Sequence, residues 1–223
     1  MDSIGSISNE DVLVFSELDD LSEIRLTEFP QGTYINFKKE VSNSNIIATD
    51  NSAVGGAGVN NTQVSLTKKN ERINFQLRQT TFENSEIAVN DSTQAKMKAI
   101  SSNIKDSTFS FNNENNSISF AGNSTIDSSR LNMKSGNDTI QFAGRCVIAG
   151  ENNITLGSGR DTVSIGKQVK FANNTSSLII KDFDKDDTLR MGNKKYNLNN
   201  ISAGQIENVI LDSDGSVYIG KDF

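Results

Sequence analysis

One spacing constrains this chain more than any other feature. Pairs of apolar residues, split by one residue that is small or polar in every pair but Leu178/Ile180, return every 22 to 24 positions. Such a pair is the local mark of a strand with one buried face. The first series runs Val64/Leu66, Ile87/Val89, Phe109/Phe111, Leu131/Met133, Ile154/Leu156 and Leu178/Ile180, with steps of 23, 22, 22, 23 and 24. A second series keeps phase with it: Ile118/Phe120, Ile140/Phe142, Val163/Ile165 and, more loosely, Leu189/Met191. A third column is marked by Phe82, Ile104, Ile126 and Ile148, each 22 apart, with Phe171 a further 23 on. Turn formers fall between the series, at Asn112–Asn116, Ser128–Ser129, Ser135–Asn137, Gly150–Asn153, Gly157–Gly159 and Asn173–Ser177.

Three ladders sharing one period predict an all-β parallel β-solenoid (β-helix) with three-stranded coils of about 22–24 residues. Equivalent residues of successive coils then stack at the strand spacing of about 4.8 Å, and inward apolar residues form continuous columns. An antiparallel sandwich also uses short strands at regular intervals. It gives no reason for one phase to persist through five turns. The density of Asn, Ser, Thr and β-branched residues disfavours helices here.

The ends depart from the repeat. Residues 1–60 read as an irregular amino-terminal segment that caps the stack or serves assembly, 61–180 as the solenoid, and 181–223 as a carboxyl-terminal cap. Within 1–60 the sequence predicts a short helix at Ser16–Ile24, a turn at Pro30-Gln31-Gly32, a strand at Thr33–Phe37 and a flexible joint at Ala53–Gly58. Caps matter because an open solenoid end exposes unpaired backbone groups that recruit other chains.

Composition narrows the chemistry. The chain has no His, which excludes Ser-His-Asp and Cys-His catalysis and His-ligated zinc within it. With 28 acidic and 22 basic residues the net charge is −6, and no basic cluster stands out along the sequence. A nucleic-acid partner is therefore not expected. The single cysteine, Cys146, lies in an apolar stretch and reads as an inert core residue. No segment is long and apolar enough to span a membrane, and the apolar run Val12–Phe15 is too short for a cleavable export signal. N-x-Ser/Thr triplets such as Asn123-Ser-Thr and Asn153-Ile-Thr read as turn chemistry.

One corner of the coil repeats a motif. Gly136-Asn137-Asp138-Thr139-Ile140-Gln141 and Gly159-Arg160-Asp161-Thr162-Val163-Ser164 both match G-x-D-x-(apolar)-x, the second half of the calcium-binding nonapeptide G-G-x-G-x-D-x-U-x. Gly157 extends the match, the next coil offers Asp184, Asp186 and Asp187, and Asn113–Ile118 holds the same place in degenerate form. Two readings of these residues stand side by side. In one they are tight turns, Gly supplying positive φ and Asp capping a backbone amide. In the other Gly136, Asp138, Gly157, Gly159, Asp161, Asp184, Asp186 and Asp187 hold Ca2+, with adjacent turns sharing an ion to reach six to eight oxygens.

Residues 134–223 resemble the repeats-in-toxin (RTX) family of secreted proteins. Leu178–Leu189, containing Asp182-Phe183-Asp184-Lys185-Asp186-Asp187-Thr188-Leu189, looks like the D-F-x-x-x-D-x-L segment that closes RTX domains. The resemblance implies calcium between successive turns, folding on export, and type I secretion through an uncleaved carboxyl-terminal signal. This chain departs from the family in using 22 or 23 residues per coil where a β-roll uses 18, and in carrying the motif at one corner only. Lys134 and Arg160 also place positive charge beside the motif.

The expected function is that of an exported, non-enzymatic structural or adhesive protein of the cell surface or matrix, self-associating into oligomers or filaments. A polysaccharide-binding or polysaccharide-modifying β-helix is the alternative, although its candidate groups, Asp106, Asp127 and Arg130, are sparse. A phage fibre component shares the fold and usually trimerises.

Overall fold

Phe109, Leu131 and Ile154 lie in one file, each the direct parallel partner of the next. The computed structural model describes residues 58–67, 72–90, 92–202, 206 and 208–220, and upstream the backbone of the strands between Val12 and Gly56. Three sheets, here A, B and C, run the length of a triangular solenoid. In each full coil the chain visits A, then C, then B. The coil that starts at Arg72 shows the pattern, with Arg72–Arg78 in A, Thr81–Glu83 in C and Glu86–Asn90 in B.

Sheet A continues through Gln94–Ile100, Ser117–Ala121, Thr139–Phe142, Thr162–Ile165 and Thr188–Met191. Sheet C continues through Asn103–Lys105, Thr125–Asp127, Val147–Ala149 and Lys170–Phe171, and sheet B through Thr108–Ser110, Arg130–Asn132, Glu151–Thr155 and Ser177–Ile180. All these pairings are parallel. Burial alternates along the strands as the pleat requires; in sheet A from Arg72 to Ala121, inward residues are apolar and outward ones polar apart from Ile100 and Ala121 at strand ends.

The interior is aromatic where the three sheets meet. Phe75, Phe82, Phe109, Phe111, Phe120 and Phe142 are each less than 2 % exposed. Phe82, Phe109, Phe120 and Phe142 form a chain of ring contacts, with centroids 5.9, 6.1 and 5.2 Å apart. Each ring fully withdrawn from water contributes roughly 2–3 kcal/mol. Cys146 is wholly buried, and burial pushes its thiol up to about 12.

The corners explain why the chain is so rich in Ser and Asn. Where C turns into B, Asn84, Asp106 and Ser128 adopt φ near +48° and Gly150 +57°. The next inward residue is polar: Ser85, Ser107, Ser129 and Asn152. Each receives the backbone N–H of its counterpart one coil upstream. Thr62 N–H donates to Ser85 Oγ at 3.0 Å, Ser85 to Ser107 at 3.3 Å, Ser107 to Ser129 at 3.2 Å and Ser129 to Asn152 Oδ1 at 3.0 Å. The A-to-C corner repeats the device, Thr80 donating to Ser102 at 3.4 Å and Ser102 to Ser124 at 3.2 Å. A buried amide that the bend removes from the sheet ladder is thereby satisfied.

Two sequence expectations change. Leu178 and Ile180 were to lie against Ile154 and Leu156, but the strand is shifted by two, and Asn152 and Ile154 are their partners. The preceding corner is wider, because Asn173 gathers the Thr175 N–H and the hydroxyls of Thr175 and Ser176 into its own turn. The glycine-rich stretch expected as a joint carries strand Ser52–Gly56, parallel to Tyr34–Phe37 and Arg72–Arg78.

Strands upstream of residue 60 occupy the same three sheets at irregular spacing. Val12 pairs with Tyr34 after 22 residues, Tyr34 with Ala53 after 19, and Ala53 with Gln76 after 23. Of the expected helix at Ser16–Ile24, residues 16–22 lie outside the described residues and Glu23–Arg25 is a strand. The turn at Pro30-Gln31-Gly32 also lies outside them.

At the far end the direction reverses. Lys194–Tyr196 closes sheet A antiparallel to Thr188–Met191, and Val217–Gly220 and Val209–Leu211 close sheet B. A short helix, Leu198–Ser202, buries Ile201 between them.

Candidate metal centre

The third corner, where B returns to A, is built on carboxylates instead of hydroxyls. Ala95 N–H donates to Asn116 Oδ1 at 3.0 Å, Asn116 to Asp138 Oδ1 at 2.6 Å, Asp138 to Asp161 Oδ1 at 2.7 Å and Asp161 to Asp187 Oδ1 at 2.9 Å. Asn116, Asp138, Asp161 and Asp187 are all buried, at 2 % exposure or less. The G-x-D motif thus places its Asp in a stacked file, each side chain accepting from the coil before.

The second oxygen of each side chain distinguishes the four positions. Asn116 presents an amide there, and its Nδ2 donates to the carbonyls of Asn112 at 3.0 Å and Glu114 at 2.6 Å. Asp187 accepts the Asp184 N–H through Oδ2 at 2.9 Å. Asp138 Oδ2 and Asp161 Oδ2 are buried with no partner. They occupy the place where Asn116 carries a donor, and, buried and unpaired, each calls for a proton or a cation.

Burial is the main cause of the resulting shifts. It pushes Asp138 up to about 7 and Asp161 up to about 6, against the hydrogen bonds from Asn116 and Asp138 N–H, which favour the ionised form. Neighbouring carboxylates raise both further: Asp161 acts on Asp138, and Asp187, Asp182 and Asp184 act on Asp161. Asp187 is also raised, again chiefly by burial.

The glycines have a steric role. A Cβ on Gly136 would overlap the Glu114 carbonyl, one on Gly157 the Lys134 carbonyl, and one on Gly159 the Gly136 carbonyl. Their φ values of 133°, 91° and 149° also exclude most side chains. Successive turns therefore nest backbone against backbone, and only glycine permits the approach.

Asp138, Asp161 and Asp187 are brought into one file, with Asp184 attached through its N–H. Asp186 is exposed, its carboxylate pairs with Lys185 at 2.6 Å, and only its N–H reaches Asp184, at 2.7 Å from Oδ1. Two further contributors lie in segments that the sequence marks without singling them out as ligands. Asn116 heads the file, and the 22-residue step from Asp138 is the signal that marks it. Asp182, the first Asp of the D-F-x-x-x-D-x-L segment, accepts the N–H groups of Leu156 and Gly157 at 2.8 and 2.7 Å.

The donor set fits a hard cation in kind: two buried carboxylate oxygens on successive coils stand without hydrogen-bond partners. Among the described residues no group of three or more His, Cys, Asp or Glu side chains converges as a ready metal cluster. No protein-family model, no curated protein and no solved structure matches the chain.

Proposed function

We propose that this chain is an exported, non-enzymatic structural or adhesive protein of the cell surface or matrix, a self-associating solenoid rod related in kind to RTX proteins and stabilised by Ca2+. The observation that carries the reading is the commitment of its buried carboxylates. Asp138, Asp161 and Asp187 each spend an oxygen on the backbone of the neighbouring coil, as a structural element does. What remains unspent, Asp138 Oδ2 and Asp161 Oδ2, suits a divalent cation held between turns, with backbone carbonyls completing its shell. Such a cation would supply positive charge to two anions that burial disfavours, and so would tie stability to extracellular calcium.

Fractionation of the producing cells, with and without chelator, tests this reading. The protein is expected in the surface or matrix fraction, in assemblies that chelator loosens. Confinement to the cytosol, or turnover of a glycan substrate by the purified chain, would overturn it.

A further inference from the structure

The three outer faces of the solenoid handle charge differently. On sheet C, Glu83, Lys105 and Asp127 occupy one column on successive coils, and Lys105 Nζ lies 2.8 Å from Glu83. That face neutralises itself. Sheet B also mixes signs, with Glu86, Arg130 and Glu151 pointing outward.

Sheet A does not. Arg72 and Arg78 sit at the two ends of one strand, and Lys96 and Lys98 lie on its neighbour, paired with Asn74 and Gln76. All four are exposed. Every other outward position of the sheet between Arg72 and Thr188 is Asn, Gln, Ser, Thr, Ala or Ile, and Arg190 follows, so over these strands the face holds no carboxylate. The whole chain carries a charge of −6, so this face runs against the average. Like charges on adjacent strands repel, and a bound polyanion relieves that cost. Gln76 Oε1 accepts from Arg78 Nε at 2.8 Å, which holds the guanidinium in place. Beside it, a depression of about 420 Å³ is lined by Arg78, Gln79, Ile100 and Ser101.

The geometry points to sheet A as the binding face for an anionic polysaccharide, whose carboxylate or sulfate groups meet Arg72, Arg78, Lys96 and Lys98. Its hydroxyls meet the amides and hydroxyls of the downstream coils, such as Gln141 and Thr139. A glycan laid along the solenoid crosses one row of side chains about every 4.8 Å, a length comparable with one sugar unit. Nucleic acid fits less well. Among the described residues the face offers no outward aromatic ring for a single-stranded base to stack on, and no element that enters a duplex groove. This inference names the partner of the adhesive reading and rests on it.

Affinity electrophoresis of the intact chain in gels containing polygalacturonate, dextran sulfate, neutral dextran or oligo-dT tests the assignment. Retardation is expected with polygalacturonate or dextran sulfate, which separates carboxylate from sulfate as the anion read, and it should fade as salt rises. Lys96→Gln with Lys98→Gln is expected to weaken it at least tenfold. Arg130→Gln with Lys181→Gln, off this face, should stay within twofold, with thermal melts showing both variants folded. Absence of polyanion binding, equal losses in the two double variants, or tighter binding of oligo-dT would overturn the inference. Failure to bind by a chain found at the cell surface sinks this inference alone, whereas glycan binding by a cytosolic chain sinks the adhesive reading.

Discussion

Asp161 accepts the backbone N–H of Asp138 through one carboxylate oxygen at 2.7 Å, while its other oxygen is buried without a partner. The same side chain therefore stabilises the stack when seen from one oxygen and burdens it when seen from the other. Which effect dominates depends on whether the second oxygen carries a proton, a cation or nothing.

The pH response follows from that relationship. Asp138 titrates at about 7 and Asp161 at about 6 in the folded chain, against an ordinary value of 3.8. Between these limits the folded state holds more protons than the unfolded one, so this contribution is complete below 3.8 and is lost as pH rises through 7. The double variant Asp138→Asn, Asp161→Asn supplies the donor that Asn116 already has. Urea denaturation at pH 5 and pH 8 should show the variant gaining about 1–3 kcal/mol per site over the parent at pH 8, and markedly less at pH 5. An equal effect at both pH values would disprove the assignment.

Calcium should act on the same two oxygens. At pH 8, adding CaCl2 is expected to raise the melting temperature of the parent chain, and chelator to reverse the gain; at pH 5 protons compete and the effect shrinks. The double Asn variant should show no calcium response at either pH. A variant as calcium-sensitive as the parent would move the cation site elsewhere.

The serine ladder gives a separate test. Ser107→Ala removes the acceptor of the Ser85 N–H and leaves that amide buried, an expected loss of about 1–3 kcal/mol. Ser119→Ala, on the outer face of sheet A, should change stability by less than about 0.5 kcal/mol. Chemical denaturation of the two variants side by side reads the difference, and similar values would mean that the ladder contributes nothing.

In the core, Phe120 stacks on Phe142 with centroids 5.2 Å apart and meets Phe109 edge-on. Phe120→Ala should cost about 3–5 kcal/mol. A loss below 1 kcal/mol would show that neighbouring coils close the cavity.

Legibility in the sequence tracked how strictly local spacing was kept. The columns through Phe109, Leu131 and Ile154, through Ile118, Ile140 and Val163, and through Phe82 to Phe171 could all be read, because one buried side chain per strand recurs at almost constant distance. Upstream, the 19-residue step from Tyr34 to Ala53 interrupts the period, so the strand at Ser52–Gly56 read as a joint. A misjudged corner at Asn173 displaced Leu178 by two residues for the same reason: sequence spacing counts loop residues that the sheet does not.

What the sequence by itself determined was the set of inward residues, since alternation along a strand is a local property of the pleat. The role of the motif aspartates and the charge of sheet A were decided only by the tertiary structure. Asp138 meets Asn116 and Asp161, and Lys96 lies beside Asn74, across 22 or 23 residues of chain. Those neighbours exist only once the coils are laid in register, because hydrogen bonding, burial and repulsion act through space and not along the backbone.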